Sequence, residues 1–202
     1  MFKKLVLITA GVLSPIVSFA DNPFFGEGHK NLVFLGVGQG LSTGWLLPNP
    51  EDRLVPFGAM HIAYAAPTTF LNLPGRTSIN GVVLIGWGTS VDYRRPYPGT
   101  DEFPIHWDWR EIAKTAQIAY LQQDVSLFWW KDWYAGVGVG IGMQRHENKR
   151  IDTKLVFSSR LFAGYSFTDN WHGELFFQHF SNGSTGINFS YNFFGLGVGY
   201  SF

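Results

Sequence analysis

The segment YAGVGVGIGMQR, residues 134–145, sets an apolar side chain against a glycine at almost every step. Successive side chains of a strand point to opposite faces. Ala135, Val137, Val139, Ile141 and Met143 therefore share one face, and Gly136, Gly138, Gly140 and Gly142 the other. A soluble sandwich would put polar residues opposite the apolar ones. A face with no side chains suits a narrow barrel, whose apolar outside meets lipid and whose crowded lumen has room for glycine. NLVFLGVGQG (31–40) repeats the pattern, and the last strand sets Phe194, Leu196, Val198, Tyr200 and Phe202 against Gly195, Gly197 and Gly199. None of these runs reads as a phosphate loop: GVGVGIG precedes no helical pattern, and GVGQGLSTG has no lysine after its last glycine.

Segments of this kind fall at 31–42, 54–66, 77–92, 115–130, 133–147, 153–167, 171–181 and 186–202. Eight is even and is the usual minimum for a single-chain outer-membrane barrel. The predicted fold is thus all-β, an eight-stranded antiparallel transmembrane barrel. With 15 basic and 15 acidic residues the chain lacks the cationic surplus that nucleic acid would require. The absence of cysteine excludes disulfides, zinc–thiolate sites and thiol nucleophiles.

Residues 1–20 carry a short basic start (MFKK), an apolar run broken by Pro15, and small residues at Ser18 and Ala20. That is the pattern of a signal peptide cleaved after Ala20, leaving 21–202 as a single barrel domain. No later stretch reaches the ~18 apolar residues of a membrane helix. The expected location is the outer membrane of a Gram-negative bacterium.

The turns KD (131–132) and TDN (168–170) are tight, whereas the connection after the third strand is long and charged. Short turns are periplasmic in such barrels, so the N-terminus belongs in the periplasm. TFLNLPGRT, after the second strand, is too long for a periplasmic turn on this reading. Trp129, Trp130 and Trp133 flank the KD turn as an interfacial belt would. The terminal YSF resembles the signature by which such barrels are recognised for assembly.

One strand end carries chemistry. In WHGELFFQHFS (171–181), Glu174 and Gln178 suit the lumen, and Leu175 and Phe177 suit lipid. His179 and Ser181 share the outward face near the external surface. Ionisable groups facing a membrane are functional hypotheses by default. Counted back from Phe202, Asn188, Ser190 and Asn192 also face outward. A two-residue Gly183-Ser184 hairpin would set His179 opposite Asn188 and Ser181 opposite Gly186. Cross-strand partners lie ~5 Å apart at Cβ, so Ser181 would be the nucleophile, His179 the base and Asn188 the group that orients it.

A late His-aromatic-Ser-Asn motif, HFSNG (179–183), on an eight-stranded barrel resembles the PagL-type lipid A 3-O-deacylases. The resemblance implies an esterase that removes the 3-O-linked acyl chain of lipid A with a Ser-His-acid triad on the lipid-facing barrel surface. It maps the base to His179 and the nucleophile to Ser181. The family usually has a glutamate on the last strand after a Gly-hydrophobic pair; GIN places Asn188 there, which can orient an imidazole but brings no charge. Oxyanion donors are expected from Asn182 and the Gly183 backbone N–H. Arg94, Arg95, Arg145, Lys149, Arg150 and Lys154 lie on predicted external loops, where cations could pair with the phosphates of lipid A. The expected partners are lipopolysaccharide and outer-membrane lipid, with a homodimer left open, and the chemistry calls for no metal or cofactor. His106, Asp108 and Glu111 lack a ligand spacing and read as an interfacial loop. Arg160 and Glu174 phase inward as a salt bridge, and His61 as a structural histidine. The rivals are a non-catalytic barrel with a structural or binding role and a transacylase passing the chain to another lipid.

Overall fold

The computed structural model describes residues 22–40, 57–86, 115–147, 151, 153–183 and 190–202. Eight strands run β1 (Leu32–Gly40), β2 (Phe57–Phe70), β3 (Leu73–Gly86), β4 (Thr115–Trp130), β5 (Trp133–Gln144), β6 (Leu155–Ser166), β7 (Trp171–Ser181) and β8 (Tyr191–Ser201). Each pairs antiparallel with the next, and β1 closes the barrel on β8 from Leu32↔Ser201 to Gly40↔Phe193. The short turns gather at one end of the barrel, the turn end, and the longer connections at the other, the loop end. The signal-peptide stretch lies outside the described residues.

The connection expected after the second strand is strand. β2 and β3 pair without interruption from Phe57↔Gly86 to Phe70↔Leu73, leaving only Leu71 and Asn72 as the turn. Both have positive φ, 51° and 64°, as a type I′ hairpin requires. Pro67 and Pro74 obscured the pattern. Each is tolerated where a ladder is open: β1 pairs β2 no further than Ala65, and β4 pairs β3 no further than Gly75. Leucine is costly in the left-handed region, so Leu71→Asn is expected to raise stability by about 1 kcal/mol. The check is the urea midpoint of the detergent-folded barrel.

The inner glycines are seats for large side chains of neighbouring strands. A Cβ on Gly197 would stand 2.0 Å from the Phe34 ring, one on Gly195 2.3 Å from Phe176, and one on Gly138 1.9 Å from Asp124. The lumen so filled is polar at its centre. Arg76 donates through Nε to Asp124 (2.9 Å) and through Nη2 to Glu174 (2.9 Å). Arg160 donates to Glu174 at 2.7 Å, and the Tyr134 hydroxyl donates to the other Glu174 oxygen at 3.1 Å. The expected Arg160–Glu174 pair is thus half of a four-charge network. His61 points inward, 3.0 Å from Asn80 Oδ1 and 3.1 Å from the Tyr120 hydroxyl. Gln122, Ser158 and Gln178 continue the hydrogen bonding toward the loop end.

Residues 22–30 form a strap across the turn end. Phe24 is fully buried in the lumen, edge-on to Tyr134, with the Arg76 guanidinium 4.6 Å from its ring centroid. Asn22 donates to the Gly75 carbonyl, and His29 Nδ1 lies 3.1 Å from Ser201 Oγ. Outside, Trp129, Trp130 and Trp133 are exposed at this end, with the Trp133–Tyr165 and Trp171–Tyr200 pairs beside them. That is the arrangement of an interfacial aromatic girdle.

Candidate active site

β7 alternates as its sequence predicts. Glu174, Phe176, Gln178 and Phe180 are buried, while Leu175 is exposed and Phe177, His179 and Ser181 are partly so. His179 and Ser181 therefore occupy the outer face at the loop end of β7.

The partner strand differs from expectation. His179 lies opposite Asn192 and Phe180 opposite Tyr191, so the two-residue hairpin pairing His179 with Asn188 is not formed. Asn188 lies outside the described residues. The register follows from volume inside the barrel: it puts His172, Glu174 and Phe176 of β7 across from Gly199, Gly197 and Gly195 of β8. The expected register would have set Glu174 against Phe193 and Phe176 against Tyr191. A slip of four residues keeps every side chain on its face, so the phase was correct and the neighbour was not.

Across the β7–β8 seam His179 Nδ1 lies 2.7 Å from Asn192 Oδ1. Asn192 Nδ2 donates to Ser190 Oγ at 3.0 Å, so its two carboxamide atoms have distinct partners. Ser190 has a positive φ of 48°, an unusual backbone for a non-glycine residue. On the other side, β6 places Ser159 opposite His179 and Phe157 opposite Ser181. Gly183 has φ +67°, and a Cβ there would stand 3.2 Å from the Phe157 ring. The chain beyond Ser181 therefore turns back over the β6 side of the serine.

Of the remaining expected residues, Asn182, Gly183, Arg145 and Lys154 are among those described. Asn182, next to Ser181, is buried at 2% exposure. Arg145 and Lys154 are exposed just beyond the loop ends of β5 and β6, and Arg145 donates to Gln117. Arg94, Arg95, Lys149 and Arg150 lie outside the described residues, as do His106, Asp108 and Glu111. Among the described residues no group of three or more His, Asp or Glu could hold a metal ion. Asn192 is the site residue that sequence reasoning missed as a partner, although its outward phase was legible.

The sequence profile of the family described as lipid A 3-O-deacylase (PagL) matches residues 85–201, more than half of the chain. The chain belongs to the PagL family. The matched region runs from the end of β3 through β8 and so contains His179, Ser181 and Asn192. Membership and the closed eight-stranded barrel together make the protein an outer-membrane barrel of the lipid A 3-O-deacylase type. No curated protein matches the sequence. Among solved structures, one described as "De novo design of transmembrane beta-barrels" is similar at 9% identity and a TM-score of 0.45, over 86% of this chain and 96% of that one.

Proposed function

We propose that the protein hydrolyses the 3-O-linked acyl ester of lipid A on the lipid-facing surface of the barrel, in the outer leaflet, with Ser181 as nucleophile and His179 as general base. The observation that carries this reading is the shared outward face of His179 and Ser181 at the loop end of β7, with Nδ1 of the histidine already engaged. Two residues of strand span about 7 Å between Cα atoms, a gap that an imidazole bridges to reach a serine hydroxyl. Engagement of Nδ1 leaves Nε2 as the nitrogen for that hydroxyl.

In the first half-reaction Ser181 Oγ attacks the ester carbonyl carbon and its proton passes to His179 Nε2. Backbone N–H groups at Asn182 and Gly183, next in the chain after the serine, would supply the oxyanion donors. The tetrahedral species collapses, and the sugar oxygen leaves with the proton from the imidazolium. Water then attacks the acyl-serine, His179 takes its proton and returns it to Ser181, and the fatty acid departs into the membrane. Arg145 and Lys154, exposed at the same end of the barrel, are the described cations that could meet the phosphates of lipid A.

Mass spectrometry of lipid A after incubation with the detergent-folded protein tests the reading. A loss of one hydroxyacyl mass is expected with the natural protein and none with Ser181→Ala. No mass change with a folded natural barrel would overturn the enzymatic reading in favour of a structural role. Appearance of the acyl chain on a second lipid would identify a transacylase.

A further inference from the structure

We infer that Asn192 is the positioning residue of the base: its carbonyl oxygen holds His179 in the tautomer that leaves Nε2 unprotonated toward Ser181. The inference rests on the Ser181–His179 reading and deepens it. An amide oxygen has no proton to give, so the 2.7 Å contact with Nδ1 requires the hydrogen to be on the ring nitrogen. On its other side the carboxamide donates through Nδ2 to Ser190 Oγ at 3.0 Å. The three residues form a hydrogen-bonded chain, Ser190 to Asn192 to His179.

Two further observations bear on it. Asn192 is 8% exposed, so the contact to Nδ1 is shielded from competing water and is correspondingly directional. The pairing of His179 with Asn192 is fixed from inside the barrel, since the register that makes them neighbours is the one that seats His172, Glu174 and Phe176 against three glycines.

Unlike a carboxylate, a neutral amide fixes the tautomer without stabilising the imidazolium that forms during turnover. Positioning and charge are therefore separable here. Asn192→Ala is expected to lower kcat about a hundredfold with KM within about twofold, because the contact it removes is to the base. Asn192→Asp is expected to restore kcat to at least the natural level, since a carboxylate both orients the imidazole and stabilises the imidazolium that forms during turnover.

Spectra of the protein labelled with 15N-histidine, with His179 assigned through His179→Gln, report the tautomer without reference to activity. The natural protein should show the Nδ1–H form, and Asn192→Ala should lose that preference. Natural kcat in a folded Asn192→Ala barrel, or an unchanged tautomer in that variant, would each overturn the inference. Full activity in Ser181→Ala would overturn the nucleophile assignment instead, and the nitrogen spectra would still decide the role of Asn192.

Discussion

Ser181→Ala, His179→Ala and the double variant are each expected to lose about 10⁴-fold or more in kcat, and the double variant no more than either single one. A nucleophile and its base act as a unit, so removing one removes the benefit of the other. Additive losses would mean that the two side chains serve separate steps. The location of the pair makes the test clean. Both side chains lie on the outer face of β7, away from the packed lumen, where truncation opens no cavity. The variants should therefore retain the urea midpoint of the natural protein and the heat-modifiable migration of a folded barrel. A large loss of both activity and folding from either substitution would show that the polar pair has a structural task on this surface.

Glu174→Gln is expected to destabilise the barrel by about 3–5 kcal/mol, the cost of leaving buried charge uncompensated. Glu174 accepts from Arg76, Arg160 and Tyr134 and is itself buried. With the amide in its place, two guanidiniums would share Asp124, which lies 2.9 Å from Arg76 Nε and 3.7 Å from Arg160 Nη1. Removing Arg160 together with Glu174, as Arg160→Met with Glu174→Leu, should cost less than Glu174→Gln alone, because no net charge is then stranded. Leu175→Ala, one residue along the same strand and facing outward, is the control and should cost far less. The comparison is made on urea midpoints of each barrel folded in the same detergent. Equal midpoints for Glu174→Gln and Leu175→Ala would show that the lumen is hydrated enough to carry the unpaired cations.

The strand count, the phase of β7 and the outward placing of His179 and Ser181 are legible from alternation, because a period of two is local and every strand repeats it. Register is not local. It depended on which bulky inner residues of β7 would lie against the glycines of β8, a fit between two strands that no single strand displays. For that reason Asn192 could be read as outward-facing while its neighbour was misassigned. Arg76 was missed for a different reason. It sits between Pro74 and the regular part of β3, in a stretch whose prolines read as a connection, and its place in the network appears only once β2 and β3 are seen to pair to Phe70↔Leu73. The strap of residues 22–30 follows no period and left no strand signal; Phe24 finds its place through the aromatic and cationic side chains contributed by β3, β5 and β6.

The strap and the ion network have an electrical consequence. Fixed charges that line a wide barrel draw counter-ions through it, but here Arg76, Arg160, Asp124 and Glu174 neutralise one another across the bore, and Phe24 stands beneath them. A permeating ion would have to displace bonds already made and shed hydration to pass an aromatic ring. The barrel is expected to insulate, so that a bilayer filled with it should hold its voltage as well as bare lipid does.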